Sequence, residues 1–319
     1  MIELKHAVVG YGPEHAFVAA VDDVSITVGD NEILGIAGES GCGKSTLMRA
    51  LYGDFTGGLK KRHGEIKARF VEPGSDTVIE RDGEDLHELW WDVVTYIPQG
   101  SMSVLNPLMK IEKQIVDGLP KREREGSRKD LRRRIAEFLR GLGLDESVLD
   151  AYPHQLSGGM RQRVLVAIAA FVNPRLILAD EPTTALDVVV QKKILLMMVE
   201  IQRRLKNTLV LVSHDLGVHY QITDRLAIAY AGKIVEIGPT TRIFEAPSHP
   251  YTRALIAALP RVGERGQRSG LEGRPPSLAN PPQGCRFAAR CPEAQAICRE
   301  VSPELTMRSA DRPVACHFR

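Results

Sequence analysis

Gly38-Glu39-Ser40-Gly41-Cys42-Gly43-Lys44-Ser45 lies between an apolar run, Glu32 to Ala37, and a segment of helical composition, Lys44 to Tyr52. Strand, glycine-rich loop and helix, in that order, are the setting in which this spacing binds phosphate. The glycines let backbone N–H groups turn inward around a β-phosphate while Lys44 reaches the β- and γ-phosphates. Ser45 can hold Mg²⁺ through its hydroxyl, and the helix, with Thr46 in its first turn, adds its positive dipole end to the anion site. An ordinary glycine-rich turn would not need those flanks. Cys42 sits where a thiolate is favoured, at a helix N-terminus among phosphate-binding amides. Its plainer reading is a small side chain standing in for serine.

A second stretch supports the first. Leu176-Ile177-Leu178-Ala179-Asp180-Glu181 reads as a buried strand ending in two carboxylates. Asp180 can order a Mg²⁺ shell and Glu181 can polarise a water. Paired acids at the C-terminal end of a strand stand where parallel sheets bind ligands. A helix cap ahead of Pro182 would explain one acid but hardly both. Together the two stretches specify hydrolysis of a nucleoside triphosphate.

Around them the chain alternates strands and helices. Thr208 to Val212 is another buried strand, and Val188 to Leu205 has helical patterning, so a largely parallel sheet covered on both faces is expected. From Gly64 to roughly Leu89, alternation at Ile66, Ala68 and Phe70 and an Asp82-Gly83 turn predict an inserted antiparallel side sheet. Between Lys121 and Leu144 the sequence is basic, yet Leu131, Ile135, Phe138, Leu139 and Leu142 recur at helical spacing. That is the pattern of a solvated helix packed by one stripe rather than of a phosphate-binding surface. From Gly263 to Gly284, Gly, Pro, Arg and Ser dominate, marking a linker or extended wrap before a small C-terminal module.

The bulk composition excludes several classes. The 319 residues and 43% hydrophobic content allow one large domain with an appendage, needing no staples. With 42 basic against 40 acidic side chains, the net charge of +2 gives no footprint for nucleic acid. The longest apolar run near the middle, Val164 to Val172, is about half of what a membrane-spanning helix needs. Glu3, Lys5 and His6 among the first residues do not resemble a secretory signal, so a cytosolic protein is expected. Four of the five cysteines, Cys285, Cys291, Cys298 and Cys316, cluster near the end, which in a reducing compartment favours metal ligation over disulfides.

Separated motifs, in the family's order, carry a family resemblance. Leu156-Ser157-Gly158-Gly159-Met160 resembles the signature of ABC transporter ATPases, with Met160 where many members have Gln. Gln99 resembles the Q-loop glutamine, Ala185-Leu186-Asp187 the D-loop, and His214 in Val212-Ser213-His214-Asp215 the switch histidine. The match covers roughly residues 1 to 260 and joins the phosphate loop and the acidic pair. It implies a P-loop ABC ATPase domain over 1–260, with a helical subdomain at about 100–165, and ATP as substrate. Ser157, Gly158 and Gly159 would open a helix as a second anion site facing the other subunit's ATP. Two ATPase subunits would then pair head to tail. The resemblance makes Glu181 the base, with His214 and Gln99 sensing the γ-phosphate, and Ser45, Gln99 and Asp180 around Mg²⁺. An aromatic from the N-terminal strand usually stacks on adenine; Tyr11 is the first choice, Phe17 the alternative. The loop from Gln99 through Ser101 to Pro107 would touch a membrane subunit, although Gln99-Gly100-Ser101 lacks the acidic residue that often follows.

The tail, over 261–319, narrows the class. His249-Pro250-Tyr251-Thr252-Arg253-Ala254-Leu255, Arg274-Pro275-Pro276 and Gly284-Cys285-Arg286-Phe287-Ala288-Ala289-Arg290-Cys291-Pro292 are similar to the C-terminal extension of oligopeptide and dipeptide importer ATPases. That likeness implies two permease subunits, an external substrate-binding protein, a second ATPase identical or paralogous, and a place on the cytoplasmic face of the cell membrane. Peptides or short oligosaccharides are the expected cargo. The cysteine spacing supplies enough soft ligands for a [4Fe–4S] cluster or a tetrahedral zinc site, which could instead take three cysteines and His317; buried free thiols are the remaining reading. The similarity of the tail inclines toward the iron–sulfur cluster. A soluble ABC ATPase acting on nucleic acid or ribosomes is the rival, but such chains carry coiled-coil insertions or duplicated cassettes, and neither is present. An exporter would lack this tail, and a catalytically dead regulator would not keep Lys44, Glu181 and His214.

Overall fold

The computed structural model describes residues 1–71, 77–100, 103–184, 186–259, 271–309 and 312–319; Ser101, Ala185 and the 263–270 part of the expected linker lie outside them. The chain opens with β1 (Ile2–Tyr11) and β2 (Val18–Val28), an antiparallel pair, then runs through β3 (Ile33–Ala37) into helix α1 (Lys44–Tyr52). β4 (Leu59–Val71) returns along β1, and β5 (Val78–Asp82) pairs with β4. The result is an antiparallel sheet in the order β2-β1-β4-β5, the expected side sheet with its β4 begun earlier, at Leu59. Ile66, Ala68 and Phe70 alternate inward between exposed neighbours, which fixes the register by the period of two.

After β6 (Val94–Ile97) comes the helical part: α2 (Ile111–Gly118), the single turn α3 (Lys121–Arg124), α4 (Arg128–Gly141) and α5 (Gly158–Phe171). Leu131, Ile135, Leu139 and Leu142 are buried, and Phe138 meets Phe171 edge-on at 5.5 Å. The basic residues of α4 turn to acids instead: Arg132 reaches Glu112 and Asp150, and Arg134 reaches Glu123. The one-stripe reading of this segment is therefore correct.

β7 (Leu176–Asp180), α6 (Val188–Leu205) and β8 (Thr208–Val212) follow the sequence expectation closely. α7 (Leu216–Ile222) leads to β9 (Arg225–Tyr230) and β10 (Lys233–Pro239), and α8 (Thr240–Glu245) and α9 (Pro250–Ala257) close this half. In the tail, α10 (Ala296–Glu300) precedes the short hairpin β11 (Thr306–Ser309) and β12 (Arg312–Val314). The main sheet runs β11-β12-β10-β9-β3-β8-β7-β6. β9, β3, β8, β7 and β6 are parallel, and β3, β7 and β8 are buried along their whole length, as a sheet covered on both faces demands. The tail is not set apart from this sheet: Val314 pairs with Glu236 and extends its edge. Among the described residues no helix is long and apolar enough to cross a membrane.

Candidate functional site

The loop from β3 to α1 is possible only with glycine at its turn. Gly43, at φ 102°, leads into α1, and a Cβ there would lie 2.0 Å from the Ala20 carbonyl oxygen of β2. Because that neighbour is backbone, no rotamer change could relieve the clash. Gly38 is closed in the same way by the Ala229 carbonyl oxygen at 2.1 Å. Across the loop Lys44, almost fully buried, donates from Nζ to the carbonyls of Gly38 and Glu39, both at 2.9 Å. Ser40 and Gly41 form the exposed tip, and Thr46 is buried on the first turn of α1. Cys42 is also buried, and burial pushes its thiol up from the ordinary value, outweighing the lowering effect of Lys44. That burial favours the plainer reading of Cys42, a small side chain in place of serine, over the thiolate.

At the end of β7, Asp180 is 1% exposed. The Tyr96 hydroxyl donates to its Oδ2 at 3.2 Å, the Ser45 hydroxyl lies near enough to lower its pKa, and Oδ1 is buried with no hydrogen-bond partner. Burial raises the Asp180 carboxyl above the usual range, against the lowering effect of those two hydroxyls. One residue on, Glu181 takes a left-handed backbone (φ 45°), a conformation that costs about 1–2 kcal/mol for a residue with a Cβ. Its amide donates to the Val212 carbonyl of β8 at 3.0 Å. The turn delivers its carboxylate to a cluster: Gln99 Nε2 donates to Oε2 at 3.2 Å, Thr184 Oγ1 donates to the same oxygen at 3.0 Å, and His214 Nδ1 is 3.6 Å from Oε1. Gln99 and His214 are exposed, so the cluster opens to solvent.

The structure thus brings Lys44, Ser45, Asp180, Glu181, Gln99 and His214 into one connected set. Ser157, Gly158 and Gly159 stand elsewhere. Ser157 caps α5 by accepting from the Met160 amide at 3.3 Å, and a Cβ on Gly159 would lie 2.7 Å from Val190 of α6. Asp187 caps α6, accepting from the amides of Val189 and Val190 at 3.1 and 3.0 Å. The two caps therefore pack side by side, each presenting the N-terminus of a long helix. Tyr11 ends β1 with its ring packed on the core and its hydroxyl 3.4 Å from Arg49 Nη1, while Phe17 lies under the Arg62 guanidinium at 5.2 Å.

Three contacts at the site escaped sequence reasoning. Tyr96 reaches Asp180 from β6, whose apolar run Val94 to Ile97, just before Gln99, was the available signal. Thr184, three residues beyond Glu181, was readable only as part of the turn. Tyr251 accepts the Glu39 amide at 3.1 Å across 212 residues, and nothing local announces it.

The four tail cysteines line one small cavity with His249, Phe287, Glu293 and His317. All are free thiols. Burial raises the pKa of Cys285 and Cys291, and the neighbouring cysteines raise both further. Among the described residues, however, no three His, Cys, Asp or Glu groups stand close enough to hold a metal ion, so the expected metal-binding module is not shown. Buried neutral thiols gain nothing by closing on one another, whereas thiolates drawn to a cation do.

Comparison with known proteins agrees with this geometry. Residues 21–184 match the ABC transporter family, and residues 235–298 match the C-terminal region of oligopeptide/dipeptide transporters. The dipeptide transport ATP-binding protein DppD of Caldanaerobacter subterraneus is 37% identical over 94% of this chain and 91% of its own. DppD of Escherichia coli is 38% identical over 97% and 94%. Among solved structures, the ATP-binding cassette MJ0796, in a dimeric post-hydrolysis state bound to ADP and Pi, superposes with a TM-score of 0.62 at 26% identity, covering 75% of this chain and 99% of that one. With both regions matched and the relatives spanning nearly its whole length, the chain belongs to the ABC transporter family, in the branch whose C-terminal region is that of oligopeptide and dipeptide transporters.

Proposed function

We propose that this chain is the ATP-hydrolysing motor of a peptide importer. The observation that carries the reading is the Glu181 carboxylate, hydrogen-bonded by Gln99 and beside His214, one residue from a buried Asp180 that lies near Ser45 of the phosphate loop. Lys44 and the loop amides bind the β- and γ-phosphates. Glu181 takes a proton from water as its oxygen attacks Pγ; the bond from Pγ to the β–γ bridging oxygen breaks, leaving ADP and inorganic phosphate. His214 and Gln99 keep that water and the γ-phosphate in line. Tyr11, with Phe17 as the alternative, stacks on adenine.

Ser45, Asp180 and Gln99 would hold Mg²⁺, and the unpartnered, buried Oδ1 of Asp180 suits a hard cation or its water. When bound, the ion neutralises charge on the phosphates. Because the Asp180 pKa is raised, this carboxyl takes up a proton at a higher pH than an exposed aspartate does. Without Mg²⁺ its charged form therefore opposes folding above the folded pKa, a cost relieved below the unfolded one. Phosphate release by the purified chain should require Mg²⁺, and the concentration giving half-maximal rate should climb as the pH is lowered past the point at which Asp180 protonates, by roughly tenfold per unit below it. A Mg²⁺ requirement that is the same in the unaltered protein and in Asp180→Asn would remove Asp180 from the metal site.

Head-to-tail pairing with a second ATPase, identical or paralogous, would set each Ser157–Gly159 helix start and Asp187 against the partner's ATP, with nucleotide as the interfacial ligand. Two permease subunits and an extracytoplasmic binding protein complete the assembly, which places this chain on the cytoplasmic face of the membrane. The relatives named above point to peptide as cargo; none is named for an oligosaccharide, and none for work on nucleic acid.

Cys285, Cys291, Cys298 and Cys316 form the ligand set of a metal in the tail, a [4Fe–4S] cluster first and zinc second. The four thiols line one cavity, so the donor chemistry suits such a metal, although among the described residues no three of these groups stand at ligating distance and binding would have to draw them together. Bound there, the metal would fold a loop-rich segment. Anaerobically purified protein should contain iron with matching sulfide; stoichiometric zinc would change the chemistry, and the absence of both metals would end the proposal.

A further inference from the structure

Between Cys285 and Cys291 the tail reads Arg286-Phe287-Ala288-Ala289-Arg290; Arg290 reaches the phosphate loop at Glu39, and Arg286 reaches the β9–β10 turn that backs the loop. Arg290 grips Glu39 with two parallel bonds, Nη1 to Oε2 at 2.8 Å and Nη2 to Oε1 at 2.9 Å. This fork-on-fork pairing fixes both position and angle, which a lysine could not do. The Arg290 side chain is 6% exposed, so the pair is not one of the solvated surface bridges that contribute little. Its guanidinium also sits over the Tyr230 ring at 5.7 Å, and its Nε donates to the Glu272 carbonyl.

Glu39 is held from other sides as well. Phe287 packs against Tyr230 and Tyr251, both at 5.4 Å, and the Tyr251 hydroxyl accepts the Glu39 amide. The Glu39 carbonyl in turn accepts from Lys44 Nζ. Arg286 donates to the Ala231 carbonyl and pairs with Asp22; next to Ala231, Gly232 donates to the Cys42 carbonyl at 2.8 Å. Two arginines from one seven-residue segment therefore meet the loop at Glu39 and, through the β9–β10 turn, at Cys42.

We propose that Arg290 is a positioning residue of the nucleotide site: the Cys285–Cys291 segment is the outer wall of the phosphate loop, and Arg290 holds Glu39, and through it Lys44, in register for the triphosphate. This rests on the ATPase reading above. Coupling of this kind is reciprocal, so nucleotide also steadies the segment that carries Cys285 and Cys291. An arginine that merely anchored the tail would affect the tail alone.

The test is an equilibrium titration of the full chain with trinitrophenyl-ATP and Mg²⁺, for the unaltered protein, Arg290→Gln, Glu39→Gln and the double variant. Each single change is expected to weaken binding by about 5- to 20-fold, and the double variant to bind no more weakly than the weaker single. Hydrogen exchange of the 38–45 amides should quicken in both singles. Unchanged affinity in Glu39→Gln and Arg290→Gln, or losses that multiply in the double variant, would overturn the proposal. Should Arg290→Gln unfold the tail, Glu39→Gln decides the matter, because it breaks the clamp from the loop side. If the unaltered chain fails to bind nucleotide, the ATPase reading itself falls.

Discussion

Glu181→Gln is expected to leave nucleotide binding within about twofold of the unaltered protein and to lower phosphate release by about 10²- to 10⁴-fold, the usual contribution of a positioned general base. Glu181 touches neither Lys44 nor the loop carbonyls that Lys44 holds, so binding should survive. Its carboxylate accepts from Gln99 and Thr184 through one oxygen, and the glutamine amide oxygen can keep accepting there. What the variant loses is the basic oxygen beside His214. Single-turnover phosphate release measures this directly, and full turnover by the glutamine variant would take Glu181 out of the base role.

Much of the fold was legible because its central strands are uninterrupted apolar runs. β3, β7 and β8 have no outward face, so Ile33 to Ala37, Leu176 to Ala179 and Thr208 to Val212 stand out from any surface pattern. The side sheet was legible for the opposite reason, its strict alternation at Ile66, Ala68 and Phe70. β6 is four residues long, too short for periodicity to mark, and the strands beyond β8 went unread. The tail shows the limit best. Its Gly-Pro-Arg-Ser composition reads as a linker before an appended module, yet Val314 pairs with Glu236 and Arg290 reaches back 251 residues to Glu39. Such contacts depend on how the sheet closes, not on neighbours in sequence.

The site divides in the same way. The phosphate loop, the acidic pair, Gln99 and His214 could be named because each residue type does its chemistry at a fixed spacing. The supports around them, Tyr96 on Asp180, Thr184 on Glu181 and Tyr251 on the Glu39 amide, come from other elements and carry no local pattern. Cys42 shows why a position alone misleads: the helix N-terminus favours a thiolate, but burial wins and holds the thiol neutral.

The second large effect is expected at Lys44. Its ammonium is almost fully buried and reaches the carbonyls of Gly38 and Glu39, at the point where the β- and γ-phosphates are to be bound. Alanine leaves those carbonyls facing the phosphates with no cation between them, a loss worth at least about 10²- to 10³-fold in turnover. The most direct test of the account is uptake of a labelled dipeptide by cells in which Lys44→Ala replaces the unaltered residue in this chain, with the variant protein present at its normal level. Uptake falling to the background of cells lacking the chain is the predicted result; uptake at the unaltered rate would contradict an ATP-driven peptide importer.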